Sequence, residues 1–359
     1  MAMPRYSQLD LAETKWYHVV SRCVRRAYLC GQDHNSGISY EHRRAWVEER
    51  IKHLATIFTV DIAAYAIMHN HYHLVVRVDD ERIWEMSTEE VIRRWSLLYR
   101  GPIIIQRYMQ QRSSMSKGEL LQVVKLAAEY RTRLCDLSWF MRNLNEYISR
   151  RANAEDNVKG HFWESRYKCQ ALLDEKAVLA AMAYTDLNPV RAAMSEEIEQ
   201  SDYTSIQQRI RELKTCTDRQ KTEEPDAAVA FPNISSEVAC PAPVDAPSAL
   251  SQAPLLPFDP IEAGKASIPF AFEDYIELLE ITGRSVHPEK RGYIPDKAPR
   301  LLTRLGISLE AFIEHSDHFI ERFGNHVGEP ATMRELAARR NARYLRGVAK
   351  ARELFERAA

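Results

Sequence analysis

The sequence predicts an α+β fold, and two observations lead to that prediction. Segments 15–26, 64–78 and the second half of 160–173 are rich in β-branched and aromatic residues, as strands are. The stretches around them carry apolar residues at helical spacing instead. Short strands and long helices in one chain are typical of an α+β domain.

The elements follow in order along residues 1–214. Lys15–Arg26 is the first strand, since it has three valines and neither Gly nor Pro. Asp61–Ile67 and His71–Val78 form either one long strand or a hairpin hinged near Asn70. The last helix of this part ends near Asn188 because Pro189 follows it. Apolar spacing predicts helices over Tyr40–Phe58, Thr88–Tyr99, Lys117–Leu134, Leu137–Ala152 and Lys176–Asn188.

The rest of the chain predicts a linker and a second module. Residues 215–268 are rich in Pro, Ala, Ser and Asp, and no Lys or Arg lies between Lys221 and Lys265, so a flexible linker is expected. Residues 269–359 are expected to form a small all-helical module, with helices over Phe272–Thr282, Ile307–Phe323 and Met333–Arg357. The basic last helix could enter a DNA groove, dock on a partner or face solvent.

Composition narrows the functional classes. No run of 18 apolar residues and no signal-peptide core occurs, so a cytoplasmic protein without membrane contact is expected. The six cysteines form no CxxC pair, which argues against a zinc knuckle or a disulfide frame. The net charge is −1, yet residues 91–168 hold 15 Lys/Arg against 7 Asp/Glu. Such a cluster suits phosphate binding, although solvated helix faces would look the same.

The stretch AYAIMHNHYHLVVRV, residues 64–78, places polar residues in the middle of an apolar strand. Side chains alternate along a strand, so His71 and His73 share a face, roughly 6.6 Å apart. Two imidazoles on one rigid element make half of a metal site, unless each neutral ring has a hydrogen-bond partner. By the same alternation His69 would share their face.

A second informative stretch is the helix AVLAAMAYTDLNPVR. Tyr184 and Asn188 are four residues apart and so share one helix face. In isolation the pair indicates little, because a Tyr packed on the core and an Asn capping a helix end would have the same spacing.

In combination these motifs are specific. MHNHYHLVV, FWESRYK and AYTDLNPVRAAM, in this order over residues 10–210, resemble the REP-associated tyrosine transposases, bacterial single-tyrosine enzymes of the HUH class. The resemblance implies a ferredoxin-like antiparallel sheet with packed helices. It also implies a divalent metal, held by two histidines and by a polar residue on the helix of the nucleophilic tyrosine.

Residue by residue, the resemblance assigns His71 and His73 to the metal pair, Tyr184 to the nucleophile and Asn188 to the third ligand. Nitrogen and amide-oxygen ligands are compatible with Mg²⁺ or Mn²⁺. The sequence departs from the family at His69, where proline is usual. His69 is therefore expected to be a rim residue or a DNA contact, or else an extra ligand.

The implied activity is cleavage and rejoining of single-stranded DNA through a 5′-phosphotyrosine, at hairpin repeats of the REP type, by a monomer or homodimer. Trp139, Phe162, Trp163 and Tyr167 could stack on bases, although Trp163 could equally be a core residue. One alternative is a hairpin-binding protein without catalysis, and another is a metal phosphodiesterase that uses water. The candidate DNA-contacting cations are Arg131, Arg133, Arg142, Arg150, Arg151, Arg166 and Lys168.

Overall fold

The computed structural model describes residues 8–24, 29–33, 37–222, 252–261, 266–286, 298–316 and 319–356. Within these ranges the protein is an α+β fold around one five-stranded sheet, as the sequence predicts. The strands are β1 (Trp16–Arg22), β2 (Val60–Ile67), β3 (His71–Val78), β4 (Lys168–Leu172) and β5 (His326–Val327).

The strand order is β2-β3-β1-β4-β5. The first four strands pair antiparallel, and β5 adds to β4 in parallel. One helix connects β1 to β2, a hairpin connects β2 to β3, and a longer helical stretch connects β3 to β4. This β-α-β-β-α-β order is that of the ferredoxin-like fold.

Helices surround the sheet. Those before β4 are α1 (Arg43–Ile57), α2 (Arg82–Glu85), α3 (Thr88–Ser96), α4 (Ile103–Gln111), α5 (Lys117–Leu134) and α6 (Leu137–Glu155). Those directly after β4 are α7 (Glu175–Asp186), α8 (Asn188–Arg191) and α9 (Ser205–Thr222). The C-terminal segment comprises residues 266–286, 298–316 and 319–356. It contains α10 (Phe272–Val286), α11 (Arg300–Leu305), α12 (Leu309–Ser316), α13 (Phe319–Arg322), α14 (Pro330–Arg339) and α15 (Val348–Phe355).

Each face of the sheet supports its own apolar core. Tyr17, Val19, Tyr72 and Leu74 point to the first face, where α1, α3, α5 and α6 cover them. Alternation sends their neighbours to the second face, where Val75 joins a core formed by α7, α9 and the helices from α10 onward. The C-terminal helices therefore share a core with the sheet in addition to supplying β5.

Several elements differ from the sequence predictions for identifiable reasons. The hairpin alternative holds for β2 and β3, whose connecting turn contains His69. The predicted helix ends at Thr282, but α10 continues through Gly283 to Val286. Because Gly283 has no side chain, the helix can pack closely against Leu187: a Cβ at this position would lie 3.3 Å from Leu187 Cδ2. The predicted last helix is split into α14 and α15, since Asn341 and Gly347 have positive φ angles of 55° and 101°.

The predicted linker lies mostly outside the described residues. Its described parts are 215–222, 252–261 and 266–268. Helix α9 continues to Thr222, so residues 215–222 are helical where the sequence predicts a linker. Residues 252–261 pack on the sheet edge: the backbone N–H of Leu256 donates to the carbonyl of Ile62 at 2.8 Å, and Leu255 and Leu256 are buried. In the part of the chain that the structure describes, no helix is long and apolar enough to cross a membrane.

Candidate active site

The two strand histidines lie on the second face of the sheet. In the β1–β3 register His71 is opposite Arg22 and His73 is opposite Val20. Their ring centroids are 4.8 Å apart, with the rings edge to face at 72°. His73 is buried and His71 is half-buried. The alternation argument thus holds for this pair.

Helix α7 brings Tyr184 to the same place. Its sequence, EKAVLAAMAYTD, contains four alanines, and small side chains let a helix lie close to the sheet. The Tyr184 ring centroid is 5.4 Å from that of His73 and 5.8 Å from that of His18, edge to face in both cases. Phe319 of α13 packs on the other side of the tyrosine, 5.5 Å away between centroids. The half-buried phenol is therefore held between the sheet and the C-terminal segment.

Asn188 begins α8, one turn after Tyr184, and is 9 % exposed. Its Nδ2 is buried and has no hydrogen-bond partner among the described residues. Arg191, at the end of the same short helix, places its guanidinium carbon 4.0 Å from the centroid of the Tyr184 ring. It also donates to the Tyr184 backbone carbonyl at 3.0 Å. The α7–α8 junction therefore carries a phenol, a buried carboxamide and a cation.

Burial keeps the histidines neutral. It lowers the pKa of His71 to about 4, and the nearby charges of Arg22, Arg191 and Lys168 act in the same direction. Burial also places the pKa of His73 well below its ordinary value. Neutral imidazole has one nitrogen lone pair free to bind a metal or accept a hydrogen bond.

These residues fit a divalent cation. The Nε2 atom of His73 is buried without a hydrogen-bond partner in the described structure. The Nδ1 atom of His71 is 2.5 Å from Asn70 Oδ1, which leaves its Nε2 for another ligand. Among the described residues, no three His, Cys, Asp or Glu side chains could together hold a metal ion. A cation on this histidine pair would therefore need a ligand of another type, and the carboxamide of Asn188 is the candidate that the sequence predicts.

The candidate arginines of α6 lie elsewhere. Helix α6 covers the first face of the sheet, opposite His71 and His73. Arg142 and Arg150 flank Glu146 at 3.8 Å and 2.5 Å, with most of each side chain exposed. Arg151 stacks on the Trp46 ring, 3.9 Å from its centroid. The structure thus places these cations on a surface separate from the tyrosine.

The remaining candidate cations divide into two groups. Arg131 donates to the carbonyls of Ile83 and Met86 at 2.5 Å and 2.6 Å and so joins α5 to α2. Arg133 pairs with Glu129 and stacks on Trp139. Arg166 and Lys168 are exposed at the start of β4. They line a groove of about 500 Å³ between β4 and the C-terminal segment.

The predicted stacking aromatics are largely used in packing. Phe162 and Tyr167 are 2 % and 8 % exposed. Trp163 packs edge to face on Tyr72 at 5.7 Å, so the core alternative describes it best. His69 lies in the β2–β3 turn and is exposed, so the strand alternation argument does not extend to it.

Sequence reasoning missed two residues of the site, His18 and Arg191. His18 Nε2 lies 3.1 Å from His73 Nδ1, and the two rings are nearly parallel, with 13° between their planes and centroids 5.3 Å apart. The only sequence signal was a histidine in a predicted strand. Its proximity to His73 depends on β1 pairing with β3, which a single sequence does not reveal.

Helix α7 is anchored to the C-terminal segment at its first turn. Asp174 Oδ1 accepts from the N–H of Ala177 at 2.9 Å and caps the helix. Asp174 Oδ2 accepts from the N–H of Glu329 at 2.6 Å, just after β5. One carboxylate therefore joins the helix that carries Tyr184 to β5.

Comparisons with known proteins give a distant structural similarity. No family model and no curated protein matches the chain. One solved structure, described as a REP-associated tyrosine transposase bound to a REP hairpin, aligns with 63 % of this chain and 92 % of its own. The identity is 12 % and the TM-score is 0.30. The fold and the site described above rest on this chain's own geometry.

Proposed function

We propose that this protein is a metal-dependent enzyme that cleaves and rejoins single-stranded DNA, folded in hairpins of the REP type, through a tyrosine–phosphate intermediate. The observation that carries the proposal is the placement of the Tyr184 ring against His73, 5.4 Å between centroids, beside a His73 Nε2 without a partner. A phenol, two neutral imidazoles and a carboxamide are a suitable set for phosphoryl transfer to tyrosine.

His71, His73 and Asn188 are the residues that would hold Mg²⁺ or Mn²⁺. When bound, the cation supplies a positive charge that stabilises negative charge on the scissile phosphate. The protein contributes by keeping both imidazoles neutral through burial. It also holds the phenol in a fixed position between His73 and Phe319.

Tyr184 performs the covalent step. Its hydroxyl oxygen forms a bond to phosphorus as the bond from phosphorus to the 3′ oxygen of the preceding nucleotide breaks. The phenol proton passes to solvent, and the departing 3′ oxygen takes up a proton. The products are a 5′-phosphotyrosine and a free 3′ hydroxyl. Attack by a 3′ hydroxyl on the phosphotyrosine reverses the step and joins two strands.

The charge around the site supports an anionic substrate. Arg22, Lys168 and Arg191 all act on His71 electrostatically, so their positive charges reach the histidine pair. The groove that begins at Arg166 and Lys168 continues to Arg346 of the C-terminal segment. A DNA backbone lying in it would meet all three of these cations. This groove is the proposed path of the strand at the site.

The experiment is incubation of the full-length protein with hairpin single-stranded DNA and Mn²⁺, followed by a denaturing gel. We expect a protein–DNA band that is absent in Tyr184→Phe and in His71→Ala. Tyr99→Phe is the matched control, because it removes a hydroxyl from the core on the other face and should leave the band unchanged.

Other results would favour the other functions. Tight, salt-sensitive binding without an adduct under any divalent metal would indicate a hairpin-binding protein. Cleavage that persists in Tyr184→Phe would indicate a phosphodiesterase that uses water. Either result would refute the tyrosine mechanism.

A further inference from the structure

A chain of hydrogen bonds runs from His73 into the C-terminal segment. His73 Nδ1 is 3.1 Å from His18 Nε2, and His18 Nδ1 is 3.1 Å from Gln170 Oε1. Gln170 Nε2 donates to the backbone carbonyl of Gly324 at 2.9 Å. His18, His73 and Gln170 are all buried, so water does not compete for these bonds.

The direction of this chain follows from its last member. A carbonyl oxygen can only accept, so the Gln170 atom facing Gly324 is the amide nitrogen and the atom facing His18 is the oxygen. That oxygen accepts a proton from His18 Nδ1. Neutral His18 then has a bare Nε2, which accepts from His73 Nδ1. The ring of His18 is buried, and burial favours its neutral form over the charged one.

We infer that His18 and Gln170 are positioning residues that fix the proton of His73 on Nδ1 and so leave the Nε2 lone pair free for a metal ion. The unpartnered Nε2 of His73 is the atom that this arrangement would present. A metal-binding histidine commonly donates its other ring N–H to an acceptor that sets the tautomer. Here that acceptor is a second histidine. The inference about the metal rests on the proposed function, whereas the position of the proton does not.

The chain of bonds also gives the C-terminal segment a part in the site. Gly324 lies between α13 and β5, more than 150 residues after Gln170. Its carbonyl is a fixed acceptor, which sets the orientation of the Gln170 amide. The Gln170 oxygen in turn sets the position of the proton on His18 and then on His73. A segment distant in sequence thus sets which nitrogen of His73 carries hydrogen.

Two substitutions of His18 separate positioning from packing. His18→Phe keeps an aromatic ring against His73 but removes the acceptor. His18→Gln loses the aromatic ring but can accept from His73 Nδ1. If His18 positions His73, His18→Phe should weaken Mn²⁺ binding about 10- to 100-fold, and His18→Gln should retain most of the affinity. If His18 only packs, the order is reversed and the inference is refuted.

The measurement is Mn²⁺ binding to the full-length protein without DNA, followed by electron paramagnetic resonance of the free ion. Gln170→Met should also weaken binding, because it has similar volume but no acceptor for His18. His53→Phe is the control, since this buried histidine belongs to α1 on the other face of the sheet. It should bind Mn²⁺ as the unaltered protein does.

Nitrogen-15 NMR of the histidine rings, in metal-free protein, tests the proton position directly. We expect His73 to be protonated at Nδ1 in the unaltered protein, and to become a mixture of tautomers in His18→Phe and in Gln170→Met. A proton on Nε2 in the unaltered protein, or no change in the variants, would overturn the inference. Failure of Mn²⁺ to bind while the NMR result holds would refute the metal proposal alone.

Discussion

Asp174 is the residue whose removal should most clearly show how helix α7 is held. Asp174→Ala removes the cap bond to the N–H of Ala177 and the bond to the N–H of Glu329. Loss of a cap costs about 1 kcal/mol, and a backbone N–H left unpaired in a partly buried place costs about 1–3 kcal/mol. Burial raises the pKa of Asp174, so removing the carboxylate recovers part of this loss. The expected decrease in the free energy of unfolding is about 2–3 kcal/mol.

The assay is urea unfolding at pH 7.5, followed by circular dichroism, with the slope m compared between proteins. Asp136→Ala is the matched control, because the Asp136 carboxylate caps α6 by accepting from the N–H of Ser138 in the same helix. It should cost about 1 kcal/mol. Asp174→Asn, which keeps one acceptor oxygen, should fall between Asp174→Ala and the unaltered protein. Equal losses for Asp174→Ala and Asp136→Ala, at unchanged m, would refute the reasoning that the Glu329 bond stabilises the fold.

Three further outcomes follow from the structure. Gly328→Ala should lower the free energy of unfolding by about 1–3 kcal/mol in the same urea assay, because the added Cβ would lie 2.7 Å from Asp174 Oδ2. Gly118→Ala is the control and should be neutral or slightly stabilising, since a Cβ there meets nothing within 4 Å. Burial lowers the pKa of His326 to about 4, so the unfolded chain binds a proton at this residue before the folded protein does, and stability is lost as the pH falls from about 6.5 to 4. In thermal melts across this pH range, His326→Leu should remove part of that loss. An unchanged loss of stability in acid would contradict the assignment. If Lys168 contacts a phosphate, Lys168→Ala should reduce the slope of log K against log salt for single-stranded DNA by about 0.7, and an unchanged slope would remove it from the path.

Local pattern was enough to predict much of the fold. Helix α5 runs from Lys117 to Leu134 as its apolar spacing predicts, and β3 runs from His71 to Val78. These elements depend on side-chain periodicity within one segment, which a sequence displays directly. The shared face of His71 and His73 follows from the same periodicity.

What sequence reasoning missed depends on pairing between distant segments. The proximity of His18 to His73 requires the β1–β3 register, and Gln170 meets Gly324 only because β5 adds to β4. The alternation argument fails at His69 for a local reason: a three-residue turn interrupts the strand there, and alternation does not continue through a turn. Charge counting predicted a basic surface but could not show that α6 lies on the opposite face from Tyr184.

The addition of β5 to β4 has a consequence during synthesis on the ribosome. Strand β4 is complete at Leu172, but its parallel neighbour, His326–Val327, emerges about 150 residues later. Until then the edge of the sheet is unpaired, and the apolar residues beneath α10 and α12 remain uncovered. A nascent chain would therefore expose both an unpaired strand edge and apolar surface, and both favour aggregation. The ring of Tyr184 would likewise meet Phe319 only after the C-terminal segment has been synthesised.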